Sequence, residues 1–119
     1  MCCRWIAQRF GIKPSGEEFD CAAYLDSMDE VQYWIRNVEN KCRSFWLQLP
    51  KQKFYPDFVA MLKDGRILVV EYKGQHLYDG EEVKRQIGAV WAEASNGQCL
   101  FCMPTDRNFE IIEQTVAIS

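Results

Sequence analysis

The chain has 119 residues, 48% of them hydrophobic and 13% aromatic, enough for one packed core and not for two, so residues 1–119 read as a single domain. With 26% charged residues and no low-complexity tract, it falls outside the disordered, collagenous and coiled-coil classes. Fourteen Lys and Arg against 17 Asp and Glu give a net charge of −3, which argues against a broadly basic surface that wraps DNA. No apolar run approaches the roughly 20 residues of a membrane helix, and the opening Met1-Cys2-Cys3-Arg4 leads into no signal-like segment; the expectation is a soluble cytoplasmic protein with no membrane partner.

In chain order, Ser15-Gly16-Glu17-Glu18 has the form of a capping box, with Ser15 as N-cap and Glu18 three residues on. It predicts a helix to about Ser27 with Phe19, Ala22, Ala23 and Met28 as its apolar stripe. Asp29 to Asn37 fits two patterns: Val31, Tyr33 and Ile35 alternate as in a strand, while Val31, Trp34, Ile35 and Val38 fit a helix. Ser44 to Leu49 reads as a strand stopped by Pro50. Phe54 to Tyr72 is two apolar runs joined by Lys63-Asp64-Gly65, a β-hairpin. A two-residue Asp-Gly loop sets Phe58 opposite Glu71; a three-residue loop with a left-handed Gly65 sets Asp57 there, and the second is preferred because it puts two carboxylates on one face.

Asp79-Gly80-Glu81-Glu82 opens a second helix with Val83, Ile87, Val90, Trp91 and Ala94 on one face, ending near Asn96-Gly97. Gln98 to Met103 is a short strand ended by Pro104, and Phe109, Ile112 and Val116 predict a last helix after Asp106. The result is an α/β or α+β domain, a small mixed sheet flanked by helices.

Six cysteines suggest a disulfide scaffold or metal site, but the apolar content makes staples unnecessary. Cys99-Leu100-Phe101-Cys102 has half a zinc spacing without a second pair, and on a strand its two thiols point to opposite faces; core thiols are the better reading. A basic run from Arg36 through Lys41, Arg43 and Lys51 to Lys53, with Phe45 and Trp46 between, fits a solvated face and a phosphate track equally well.

Glu71 and Lys73 end the apolar strand Ile67-Leu68-Val69-Val70, where charges are costly unless paired or bound to a metal. Period two places them on one side, and the hairpin register adds Asp57. Two carboxylates held close repel, a divalent cation such as Mg²⁺ or Mn²⁺ relieves that repulsion, and a nearby ammonium can orient water or neutralise charge on a phosphate under attack. The pattern suits a phosphodiester hydrolase; a cross-strand salt bridge accounts for the Glu-x-Lys spacing equally well.

Tyr55-Pro56-Asp57-Phe58, Lys63-Asp64-Gly65-Arg66 and Glu71-Tyr72-Lys73-Gly74 together resemble the PD-(D/E)xK nuclease signature. The wording is similar to the C-terminal endonuclease domain of the nuclease-helicase subunit of type III restriction enzymes, over residues 17–103. The flanking words Glu18, Cys21-Ala22, Leu25-Asp26, Arg36-Asn37, Gly74-Gln75-His76-Leu77 and Lys84 with Trp91 extend the resemblance. It implies a restriction-endonuclease-like core and a metal-dependent DNA endonuclease. Asp57, Glu71 and the backbone carbonyl of Tyr72 would bind Mg²⁺ or Mn²⁺, and Lys73 would assist the attacking water. Glu18 sits where such folds often carry a further acid that touches the metal directly or through water, the capping box being its structural alternative.

Lys84 and Arg85, with Arg36 and Lys53, are the candidates for DNA contact, a solvated role being their alternative. Gly74 reads as a close turn and His76 as a structural hydrogen-bonder. The chain lacks any Gly-x-x-x-x-Gly-Lys-Ser/Thr loop, so it reads as a fragment, as a partner of a separate helicase or ATPase motor and a methyltransferase in trans, or as a free-standing nuclease. The competing class is a non-catalytic nucleic-acid-binding or docking domain that keeps the fold.

Overall fold

In the computed structural model, which describes residues 16–37, 44–73, 79–105 and 108–118, the first element is helix α1, Glu17–Ser27. Its N-cap is Gly16 at φ 113°, a backbone value that favours glycine, and no side chain caps the helix. The N-cap thus lies one residue after the expected Ser15. Ser15 lies outside the described residues, and Glu18 turns instead to Arg36, with Arg36 Nε 3.2 Å from Glu18 Oε1. The acids Glu17, Glu18 and Asp20 in the first turn suit the positive end of the helix dipole. Cys21, Ala22 and Leu25 form its buried stripe, with Phe19 packed beside them.

The ambiguous segment is a strand, β1, Val31–Arg36. Of its side chains only Trp34 is fully buried, edge-on to Phe58 with ring centroids 5.6 Å apart and its indole N–H donating to Asp26 at 3.1 Å. One apolar anchor and β-branched or aromatic neighbours favour a half-buried strand over a helix that would need a continuous stripe. A bulge between Val31 and Tyr33 shifts its register.

The expected strand from Ser44 to Leu49 shrinks to β2, Leu47–Gln48, which pairs with β3, Lys53–Phe54, in a separate two-stranded ribbon around Pro50. Phe54 thus belongs to this ribbon and not to the long hairpin. That hairpin is β4, Phe58–Leu62, against β5, Ile67–Val70, with Phe58 facing Val70 and Met61 facing Ile67. The Leu62 amide donates to Arg66 O at 2.9 Å and Gly65 lies at φ 93°, so the loop has three residues and a left-handed glycine.

Helix α2, Asp79–Ala94, crosses back to β6, Cys99–Cys102, which lies parallel to β5. Asn96 at φ 57° and Gly97 at φ 91° turn the chain after the helix as expected. Helix α3, Glu110–Ile118, closes the fold; Asp106 is outside the described residues. The sheet order is β1-β4-β5-β6, antiparallel except for the last pair. The chain is thus a small α+β fold in which a mixed sheet is flanked by helices.

One core cluster joins α1 and α3 to the sheet through Leu25, Phe58, Leu62, Leu68, Leu100 and Ile112. A second joins the ribbon to α2 through Leu47, Leu49, Phe54, Ile87, Trp91 and Phe101. Leu100 and Cys102 serve the first and Phe101 the second, the alternation that puts Cys99 and Cys102 on opposite faces. The described cysteines Cys21, Cys99 and Cys102 are free, and burial raises Cys102 to about 12 and Cys21 higher still, so both are core thiols; Cys2, Cys3 and Cys42 lie outside the described residues. The apolar face expected for α2 needs correction. Ile87 and Trp91 are inside, but Val83 and Val90 are 37% and 66% exposed, and the contact with β6 runs over Gly88, packed directly on the Phe101 ring. No helix among the described residues is long and apolar enough to cross a membrane.

Candidate active site

The hairpin determines where the acids meet. Phe58 pairs with Val70, so the next position on each arm sets Asp57 against Glu71 just past the ladder's end. The Asp57 amide donates to Glu71 Oε1 at 3.1 Å, and the Tyr72 amide donates to Asp57 Oδ2 at 2.9 Å. Each carboxylate is held by the opposite arm's main chain.

β6 fixes the other side of the same segment. The Glu71 amide donates to Cys102 O at 3.1 Å and the Lys73 amide to Pro104 O at 2.9 Å, and Lys73 bridges to Thr105 in parallel sense. Alternate amides aimed at one neighbour mean extended backbone, so Glu71 and Lys73 project to the same side. Lys73 Nζ accordingly lies 2.7 Å from Glu71 Oε2. The three residues singled out from the sequence are thus brought together, with Glu71 only 5% exposed and the sole buried charged residue among those described.

The electrostatics of the trio are uneven. Glu71 has an ammonium on one oxygen and an amide on the other, whereas Asp57 has the Tyr72 amide and no cation beside it in this set. Burial, with the Glu71 charge second, pushes the Asp57 carboxyl up to about 8, and Glu18 adds to the rise. A divalent cation would offset the repulsion between Glu71 and Asp57 that adds to the effect of burial. Asp57 and Glu71 are the residues to hold it, with the Tyr72 carbonyl the third donor the resemblance implies. The donor set is hard oxygen, suited to Mg²⁺ or Mn²⁺. Among the described residues, no three His, Cys, Asp or Glu side chains gather into a metal cluster, so the protein's own ligands would be this pair and main-chain oxygen.

Glu18 keeps its carboxylate on Arg36, with its charge felt at Asp57. Lys53 lies 4.5 Å from the Trp46 ring centroid, Lys84 lies 5.1 Å from that of Phe54, and Arg85 is ion-paired to Glu82. Two of the four proposed DNA contacts, Arg36 and Arg85, are therefore held by acids, and two sit against rings around the ribbon. Lys41, Arg43, Gly74 and His76 fall outside the described residues.

Two residues with parts in the site were not among the site residues singled out from the sequence. Asn37 donates from Nδ2 to Phe45 O at 2.7 Å and to Pro56 O at 2.9 Å, while its amide donates to Asp57 O at 2.8 Å. Its signals were its place in the Arg36-Asn37 word of the resemblance and a polar residue directly after an apolar strand. Glu17 accepts from the Tyr72 hydroxyl, whose ring packs on Phe109 with centroids 5.6 Å apart. That contact spans 55 positions and has no local trace. Compared with protein-family models, curated proteins and solved structures, the chain matches none.

Proposed function

We propose that this chain is a metal-dependent DNA endonuclease domain of the PD-(D/E)xK type that hydrolyses phosphodiester bonds with Mg²⁺ or Mn²⁺. The observation that carries the reading is the hairpin register, which sets Asp57 against Glu71 with the Lys73 ammonium 2.7 Å from Glu71. The resemblance in the flanking words supports the same reading, as does a mixed sheet that delivers all three residues to one end of a hairpin.

When bound, the cation supplies Lewis acidity to a phosphate oxygen and to water. The Tyr72 amide fixes Asp57 Oδ2 and so holds this carboxylate in place beside Glu71. Glu71, buried and held at both oxygens, cannot swing away. The Lys73 ammonium stands 2.7 Å from Glu71 Oε2; an ammonium so placed can orient the attacking water and offset charge on the phosphate in the transition state.

The test is nicking of supercoiled DNA with Mg²⁺, Mn²⁺, Ca²⁺ or EDTA by the wild type and by Asp57→Ala and Glu71→Ala. Cleavage that needs Mg²⁺ or Mn²⁺ and both acids is the expected result. Cleavage in excess EDTA, or unaffected by either substitution, overturns it.

The second reading, a domain that keeps this architecture and docks onto a helicase or other DNA-bound partner, is favoured by the net charge of −3 and by Arg36 and Arg85 being already paired with acids. Absence of cleavage with every metal would move the proposal to that reading.

A further inference from the structure

The β2–β3 ribbon buries Leu47, Leu49 and Phe54 against α2 and leaves Trp46 outside, with 41% of its surface in solvent. An indole presents a flat apolar face and an N–H to any group that meets it there. Lys53 lies over this ring at 4.5 Å, and Lys84 reaches from α2 to the neighbouring Phe54 ring at 5.1 Å. From 44 to 56 the chain contains two lysines and no acid, so this margin is locally positive on a molecule of charge −3.

The ribbon is also tied to the proposed catalytic acids. Asn37 grips Phe45 twice, donating to its carbonyl at 2.7 Å and accepting from its amide at 2.9 Å. The same residue donates to Pro56 O at 2.9 Å and to Asp57 O at 2.8 Å. Trp46 follows Phe45 directly, and the Phe45 ring is anchored on Trp91 with centroids 5.2 Å apart. The main chain that carries the exposed ring is thereby fixed to the main chain that carries Asp57.

We propose that Trp46, with Lys53 beside it, is a stacking platform for an unpaired base, so that the substrate of the nuclease is DNA with a single-stranded stretch at the site. The inference rests on the nuclease reading for its substrate and deepens it. An aromatic ring stacks on any base whose face is open, and in a duplex those faces are covered by neighbouring base pairs. With Lys53 over one face of the ring, a base stacks on the other and its phosphate meets the lysine ammonium at the edge, while Asn37 keeps the main chain that carries the ring joined to the main chain of Asp57.

The test is equilibrium anisotropy in EDTA, where no turnover is needed, with a labelled oligothymidylate of about 15 nucleotides and a blunt duplex of the same length. Wild type, Trp46→Ala, Trp46→Phe and Lys53→Met are compared, with thermal melts of each. Wild type should prefer the single strand, and Trp46→Ala should weaken that binding about ten- to a hundredfold with little change for duplex. Trp46→Phe, which retains a ring, should stay within a few-fold of wild type and serves as the readout if the alanine variant does not fold. Lys53→Met should flatten the salt dependence by about one phosphate contact.

Equal affinity of wild type and Trp46→Ala for the single strand overturns the platform. So does equal loss on duplex, or a wild type that prefers duplex. Trp46 variants that bind the single strand normally but lose a protein partner instead would make the ring a protein-docking residue, which also overturns it. The two proposals fail separately: Trp46-dependent binding without cleavage by any metal removes the nuclease and keeps the platform, and metal-dependent cleavage with Trp46-independent binding does the reverse.

Discussion

The amide of Asp57 donates to the carboxylate of Glu71 across the open end of the hairpin, at 3.1 Å. This bond holds two acids close enough to oppose each other's ionisation, and the first prediction follows from it. Asp57 is raised from an ordinary value of 3.8 to about 8 by burial and by Glu71, so the metal-free folded state holds a proton that the unfolded chain releases near pH 4. Stability from this group is full below the unfolded value and is lost as pH rises toward 8. The metal-free melting temperature should fall between pH 5 and pH 8. Asp57→Asn should flatten that slope and be the more stable protein at the alkaline end, and saturating Mn²⁺ should flatten it in the wild type. Parallel pH curves for wild type and the asparagine variant would refute the assignment.

Lys73→Met keeps the aliphatic stem and removes the charge. Cleavage should fall at least about a hundredfold, the scale of one preorganised electrostatic group at a hydrolytic centre. Mn²⁺ binding should persist or tighten, because Glu71 loses the ammonium 2.7 Å away while both acids remain. Lys73→Arg should not restore the rate fully, since a guanidinium is bulkier and does not share its proton. Single-turnover cleavage beside a Mn²⁺ titration separates the two effects. A methionine variant that cuts at the wild-type rate would leave the Glu-x-Lys pair as a salt bridge alone.

Asn37→Ala leaves the Phe45 and Pro56 carbonyls and the Phe45 amide without their side-chain partner, a loss of about 1–3 kcal/mol. Asn37→Asp should not rescue it, because a carboxylate would face two carbonyls to which the amide nitrogen donates. Hydrogen exchange should speed up in the ribbon before it does in β4 and β5. Uniform destabilisation of the whole sheet would show that Asn37 is not the joint between them.

Gly88→Ala is expected to destabilise although alanine is the better helix former by about 1 kcal/mol. Its Cβ would stand 2.4 to 2.5 Å from three atoms of the Phe101 ring. Overpacking of that kind costs about 1–3 kcal/mol and outweighs the propensity gain. Phe101→Leu should restore much of the loss in the double variant, as chemical denaturation can show. A stabilised single variant would mean that the helix simply rides outward.

The sequence carried the hairpin because everything that sets it is local. Lys63-Asp64-Gly65 supplies its own turn chemistry, and the loop length alone decides whether Asp57 or Phe58 faces Glu71. Asp29 to Asn37 was undecidable by period because a strand claimed Val31, Tyr33 and Ile35 while a helix claimed Val31, Trp34, Ile35 and Val38, and burial of Trp34 on Phe58 tips the balance only after the chain has folded. Val83 and Val90 looked like core by spacing, yet the helix approaches the sheet through Gly88, and a missing side chain leaves no hydrophobic signal. Glu18 read as the inner acid of a cap from its local spacing, while its ion pair is made with Arg36, 18 residues further along. Local rules see only the nearer of two partners.

The parallel pairing of β5 with β6 has a temporal consequence. The hairpin that brings Asp57 to Glu71 can close as soon as residue 72 is free of the ribosome, since its contacts are short in sequence. The amides of Glu71 and Lys73, however, find their acceptors on Cys102 and Pro104, which are made about 30 residues later, beyond α2. A nascent or truncated chain therefore presents the acids without the fixed lysine. If the nuclease reading holds, hydrolytic competence is the last property the polypeptide acquires, and a stop anywhere before Pro104 yields an inert fragment.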